Sequence, residues 1–148
     1  MDKVKVGFIG AGGIARSHIF ALQALKFYYQ QVPEIELVSV CSAHEKSRQL
    51  FAGKYGFGKA EPIESFLQNE DIDTVYIMGP NDTHYEHFRA VLNMKNVKRI
   101  YLEKPVCSNE PEEKEMTRLY SHDDKKVQVG FQYLFTPSVR EALILWQS

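Results

Sequence analysis

The run KVKVGFIGAGGIARSH (Lys3–His18) narrows the possible folds more than any other part of the chain. Lys3–Ile9 is a short β-rich segment, and Ile14, His18, Ala21, Leu22 and Leu25 then recur at helical spacing. Between strand and helix lies Gly10-Ala11-Gly12-Gly13-Ile14-Ala15, a G-x-G-x-x-A turn. Each small residue has a physical task there. Gly10 permits the tight turn, Gly12 lacks a Cβ so that backbone can approach a pyrophosphate, and Ala15 lets the helix lie close to the strand. The helix N-terminus adds free N–H donors and positive dipole for phosphate oxygens, which places Gly13 and Ile14 in the same ligand-facing set. The plainer alternative is a glycine-rich turn with no ligand. The strand before it and the helix after it argue against that.

The alternation continues along the chain. Strand-like runs are Ile35–Cys41, the short KAEPI segment, Asp73–Met78, Val97–Leu102 and Lys126–Phe131. Helical faces are expected at Ser47, Leu50, Phe51 and Tyr55; at Tyr85, Phe88, Val91 and Leu92; and at Met116, Leu119 and Tyr120. Thr83-x-x-Glu86 reads as a capping box, and SNEPEE (Ser108–Glu113) carries cap residues, an early Pro and first-turn acids. Apolar strands alternating with helices predict an α/β fold: a doubly wound, mostly parallel sheet with helices on both faces. Ligands then collect where strands end and helices begin.

Composition excludes several classes. The chain has 148 residues, 44% hydrophobic and 25% charged, with net charge −1. That is one ordinary globular domain, without the basic footprint of a nucleic-acid or membrane-surface binder. No apolar run approaches the roughly 18 residues that span a bilayer. Cys41 and Cys107 are the two cysteines and form no C-x-x-C, so free thiols and a cytoplasmic location are expected.

The end of the second strand usually supplies an acid for the adenosine ribose of a bound dinucleotide. Here Ser42 stands at that junction, followed by His44, Lys46 and Arg48. A neutral Ser bonds a ribose hydroxyl without repelling a 2′-phosphate, and the basic residues can neutralise one. The cofactor expectation is therefore NAD(P), tilted toward NADP; the bland alternative is that these are solvated residues of the next helix. His84 is expected in the first helical turn beside the cleft. His84, Glu86 and His87 lack a third ligand at suitable spacing, so no metal site is expected.

The segment YLEKP (Tyr101–Pro105) ends an apolar run in a carboxylate, an ammonium and a proline. Strand interiors exclude Pro, so this is a strand end. A cis Lys104–Pro105 bond is one way of turning the chain there, although such bonds are only about 5% of X-Pro cases in folded proteins.

With GAGGIARSH (Gly10–His18), DTVYIMGPNDTHYEH (Asp73–His87), YLEKPV (Tyr101–Val106) and VGFQYLFTPSVREA (Val129–Ala142) in this order, the chain resembles the glucose–fructose oxidoreductase / inositol dehydrogenase / MocA-like family along its whole length. The resemblance implies that Pro80 and Asn81 lie beside the cofactor. It also implies that Glu103 approaches the nicotinamide ribose and that Lys104 sits near the nicotinamide and the substrate hydroxyl as a catalytic group. Gly130 to Tyr133 would lead toward substrate, through Gln132 and Tyr133. Ser42 replaces the family's commonest Asp, and Leu134 stands where an Arg is usual.

Family members carry a second α/β domain with the catalytic His in an Asp-x-x-x-His helix; none of the five His here fits that pattern. The expected organisation is a cofactor domain over 1–133 and, over 134–148, the start of a connection to a substrate domain absent from this chain. Thr136 and Pro137 would open that last helix, with Val139, Ala142, Leu143 and Trp146 on one face that must be covered by this domain, the missing half or a second copy.

The expected function is hydride transfer between nicotinamide and an alcohol or carbonyl substrate, a sugar or cyclitol, with little or no turnover by this chain alone. Lys104 would stabilise alkoxide character; a surface ion pair with Glu103 is the plainer reading of that lysine. Two alternatives stay open: a non-catalytic dinucleotide-binding or regulatory module, and a nucleotide fold preferring ATP or CoA.

Overall fold

The computed structural model describes residues 3–147. Six strands are present: β1 (Lys3–Ile9), β2 (Glu34–Cys41), β3 (Lys59–Glu61), β4 (Thr74–Ile77), β5 (Arg99–Leu102) and β6 (Lys126–Val129). Six helices follow them: α1 (Gly13–Tyr28), α2 (Glu45–Tyr55), α3 (Ile63–Leu67), α4 (His84–Leu92), α5 (Glu110–Tyr120) and α6 (Pro137–Gln147). The strands form one sheet in the order β3-β2-β1-β4-β5-β6, with every pairing parallel. This is the doubly wound Rossmann arrangement. The order reverses between β1 and β4, where such sheets open a crevice at their carboxyl edge.

Alternation along the strands sorts the core into two layers. Val6, Phe8, Val40 and Met78 pack with Ala15 and Ile19 of α1 and Phe51 and Ala52 of α2. Ile9, Val75, Ile77, Ile100 and Leu102 pack on the other face with Phe66, Phe88, Val91 and Met116 from α3, α4 and α5. Among the described residues no helix is long and apolar enough to cross a membrane.

Several local expectations shift by a residue or two. The inward line of α1 is Ala15, Ile19 and half-buried His18, Leu22 and Leu25, whereas Ile14 and Ala21 are exposed. The helix aims its first turn at the crevice, which carries Ile14 to the mouth rather than the core. In α2 the inward residues are Arg48, Phe51, Ala52 and Tyr55, and Leu50 and Ser47 face out. KAEPI divides: β3 stops at Glu61, and Pro62, with φ −66°, leads into α3, a helix the sequence pattern did not announce. Pro suits that place because its fixed φ matches a helix start.

The Thr83/Glu86 capping box does not form. Thr83 lies in a 3-10 turn (Asn81–Thr83) and donates its hydroxyl to Pro80 O at 2.7 Å, while Glu86 accepts from Arg89. The α5 start is as expected: the Asn109 side chain accepts the Glu112 N–H at 3.0 Å, and Glu112 accepts the Ser108 N–H at 2.9 Å. In α6 the apolar residues Leu143, Ile144 and Trp146 are exposed, the last at 88%.

Candidate functional site: a dinucleotide cleft and a lysine loop

A cleft of about 780 Å³ opens over the carboxyl ends of β1, β2 and β4. Gly10, Gly12, Gly13 and Ile14 line one wall, Ser42, His44 and Arg48 a second, and Gly79, Pro80 and His87 a third. Gly10 is a requirement of the fold. Its φ is +116°, and a Cβ there would lie 2.6 Å from the Met78 carbonyl oxygen. That backbone approach joins β1 to the β4 turn, where Met78 N–H donates to Ile9 O at 2.8 Å, while Gly10 N–H donates to Cys41 O at the end of β2, also at 2.8 Å.

Gly12 differs in kind. A Cβ at Gly12 or Gly13 would meet nothing of the protein within 4 Å. The space these glycines leave therefore belongs to the cleft. Gly12 caps α1 without a side-chain hydrogen bond, and the first turn has no acidic residue. The N–H donors and positive end of a 16-residue helix thus face the cleft. A pyrophosphate fits that donor set.

At the β2 end, Ser42 donates its hydroxyl to His44 O at 3.3 Å, and Arg48 Nη1 donates to Ser42 O at 3.3 Å. Arg48 Nε is buried without a hydrogen-bond partner among the described residues. A buried donor of this kind is costly unless something completes it, and an anionic oxygen in the cleft would. Cys41 lies beneath, its thiol pushed up to about 11 by burial, and it stays neutral.

Lys104, Gln132 and Tyr133 come together around a second, open cavity of about 260 Å³, also lined by Gly130, Phe131 and Leu134. Lys104 is exposed, and the Lys104–Pro105 peptide is cis. Asn81 sits exposed on the turn beside Pro80, outside the lining of the larger cleft.

Glu103 and His84 lie deeper than the sequence reading placed them. Glu103 is 4% exposed: Oε1 accepts from His18 Nε2 at 2.7 Å, and Oε2 accepts the Lys104 N–H at 3.0 Å. Tyr101 sits on the same face, its hydroxyl pushed up to about 12 chiefly by burial, then by the Glu103 charge. His84 is 1% exposed, with Nδ1 2.7 Å from Pro105 O and Nε2 3.0 Å from Gly79 O. Both carboxylate oxygens of Glu103 accept from the protein, and a His84 ring N–H has a backbone carbonyl of Pro105 or Gly79 to donate to.

Helical spacing places His18 one turn after the small residue Ala15 but names no partner for it. Its partner lies 85 positions away in the chain, so local pattern does not reveal the pair.

His87 borders the cleft, with Nδ1 buried and unpartnered among the described residues. Burial first, and the neighbouring His84 second, hold its pKa below the ordinary 6.5, against a smaller opposing effect of Glu86. Between the lowered native value and 6.5 the unfolded chain binds more protons than the native one. Native stability should therefore rise with pH through that window and level off above it. Urea melts across the window should lose this slope in His87→Gln; an unchanged slope would place its origin elsewhere.

A family model described as an oxidoreductase family with an NAD-binding Rossmann fold (Gfo/Idh/MocA) matches residues 4–131. The chain is 29% identical over 143 residues to inositol 2-dehydrogenase of Rhizobium meliloti, covering 95% of this chain and 40% of that protein. It is 28% identical over 131 residues to glucose-6-phosphate 3-dehydrogenase of Bacillus subtilis, covering 88% and 34%. Among solved structures, levoglucosan dehydrogenase in complex with NADH superimposes with a TM-score of 0.85 at 26% identity, over 93% of this chain and 37% of that one. The chain thus spans well under half the length of these relatives.

Proposed function

Because the chain belongs to the Gfo/Idh/MocA oxidoreductase family, with its NAD-binding Rossmann fold, we propose that residues 1–133 are the cofactor-binding part of a sugar or cyclitol dehydrogenase. The observation that carries this is the space a side chain at Gly12 would fill, faced by the N-terminus of α1, which has no side-chain cap. A bound nicotinamide supplies hydride acceptance or donation; the protein supplies position and charge. The first turn of α1 holds the pyrophosphate. Ser42 meets the adenosine ribose, and Arg48, with its unpaired Nε, meets a 2′-phosphate, which favours NADP over NAD. Pro80 and Asn81 shape the β4 side. Glu103 and His84 act from behind, through backbone.

Lys104 stands at the cavity shared with Gln132 and Tyr133 and stabilises negative charge that develops on the substrate oxygen. The acid/base partner comes from a further domain, for which residues 134–148 begin the connection and whose surface covers the exposed α6 residues Leu143 and Trp146. Two free thiols, Cys41 and Cys107, suit a reducing, cytoplasmic setting.

Two substitutions divide these roles. Arg48→Ala should weaken NADPH binding about tenfold while leaving NADH nearly unchanged. Equal loss for both cofactors would remove Arg48 from the 2′-phosphate. Lys104→Ala should keep cofactor affinity within a few-fold and abolish turnover in the complete enzyme; retained turnover would remove the lysine from the chemistry.

A further inference from the structure

Two histidines, half-buried His18 and buried His84, reach the Glu103-Lys104-Pro105 segment from opposite sides of the sheet. His18 belongs to α1, on the face that buries Ala15 and Ile19, and its Nε2–H donates to Glu103 Oε1 at 2.7 Å. His84 begins α4, on the face that buries Phe88 and Val91, and its Nδ1 lies 2.7 Å from Pro105 O. Its Nε2 is within reach of Gly79 O, in the wall of the dinucleotide cleft. The carboxylate that His18 holds in turn accepts the Lys104 backbone N–H. Lys104 is thus the one residue of the three whose flanking groups are both tied to helices, while its own side chain is left toward solvent and the smaller cavity. Tyr101 and Tyr76 pack around His18, with ring centroids 4.7 and 5.6 Å away, and restrict its ring.

We propose that His18 and His84 are positioning residues that clamp the lysine loop. His18 couples it to the phosphate-binding helix and His84 to the β4 turn, so that the Lys104 ammonium is held in fixed register with the bound dinucleotide. The functional part of this rests on the role of Lys104 proposed above. Neither histidine touches cofactor or substrate. Each acts through a neighbour: His18 through a carboxylate, His84 through a backbone carbonyl, each ring N–H serving one of the Pro105 and Gly79 oxygens. A buried pair of this kind restricts geometry because loss of either member leaves a desolvated polar atom without a partner.

The test uses the chain itself, with amide exchange and the 13C resonance of dimethylated Lys104 as readouts. In His18→Ala, the Lys104 amide should exchange about tenfold faster or more, while amides in β1 and β4 keep their rates. His18→Gln, which returns an N–H near the Nε2 position, should restore protection. Saturating NADP+ should shift the Lys104 resonance in the native chain and in His18→Gln, and shift it less in His18→Ala. His84→Ala should reduce the same shift, and His84→Asn, with its donor near the Nδ1 position, should recover it.

Unchanged Lys104 exchange in His18→Ala would overturn the clamp. So would faster exchange spread evenly over the core, or a failure of both conservative variants to rescue. If NADP+ binds but never moves the native Lys104 resonance, the proposed catalytic role of Lys104 fails, while the exchange data still judge the clamp separately.

Discussion

Gly12→Val is expected to fold and to lose its dinucleotide, with NADPH affinity falling by about a hundredfold or more, equivalent to roughly 2.7 kcal/mol. The expectation follows from space. A Cβ at residue 12 meets no protein atom within 4 Å, and the backbone there is extended, with φ −89° and ψ −162°. Valine therefore adopts the native conformation and fills only open cleft volume, where the proposed pyrophosphate would lie. Its cost to the fold is that of a poorer helix cap, at most about 1 kcal/mol. The paired measurements are a thermal or urea melt and an NADPH titration. A variant that bound like the native chain would show that the cradle holds no phosphate.

Gly10→Ala should do the reverse and damage the fold. Residue 10 has φ +116°, where an L side chain is strained, and the added Cβ would stand 2.6 Å from the Met78 carbonyl oxygen and 2.7 Å from its carbon. These are backbone atoms of the β4 end, held by the Met78 N–H bond to Ile9 O, so they cannot rotate aside. The loss should be about 3 kcal/mol or more, combining conformational strain with displacement at the centre of the sheet. For a chain of this size each kcal/mol lowers the melting temperature by roughly 2–4 °C. Native-like stability in Gly10→Ala would contradict the geometry of the turn. Two glycines two residues apart thus separate by their neighbours: one faces the protein, the other faces ligand space.

This distinction shows what the sequence makes legible. Strand, glycine turn and helix in succession disclose the βαβ start, because periodicity and turn chemistry are local. The later strand ends follow in the same way, so the walls at Gly10–Ile14, Ser42 and Pro80 were legible as neighbours of one edge. Rotations of the helices were less so. Ile14 and Leu50 match an apolar period yet stand exposed, because α1 aims its first turn at the cleft and α2 turns Arg48 toward Ser42. The Thr83 hydroxyl fits a capping pattern, but the 3-10 turn diverts it to Pro80 O. Glu103 and His84 are expected from sequence beside the cofactor, and their protein partners, His18 at a separation of 85 residues and Pro105 at 21, are tertiary. No local pattern carries such pairs.

The segment YLEKP illustrates the gain. As sequence it is a strand that ends in two charges and a proline. In the fold Glu103 is buried against His18 and supports the Lys104 backbone, Pro105 offers its carbonyl to His84, and the Lys104 side chain is exposed.

The central claim is that this chain holds a nicotinamide dinucleotide across the β1/β4 switch point. Titration of the chain with NADPH, followed by fluorescence, tests it most directly. The account predicts saturable binding that NADP+ competes more effectively than ATP or CoA and that Gly12→Val removes. Absence of binding at millimolar NADPH and NADH, or better competition by ATP or CoA, would contradict it.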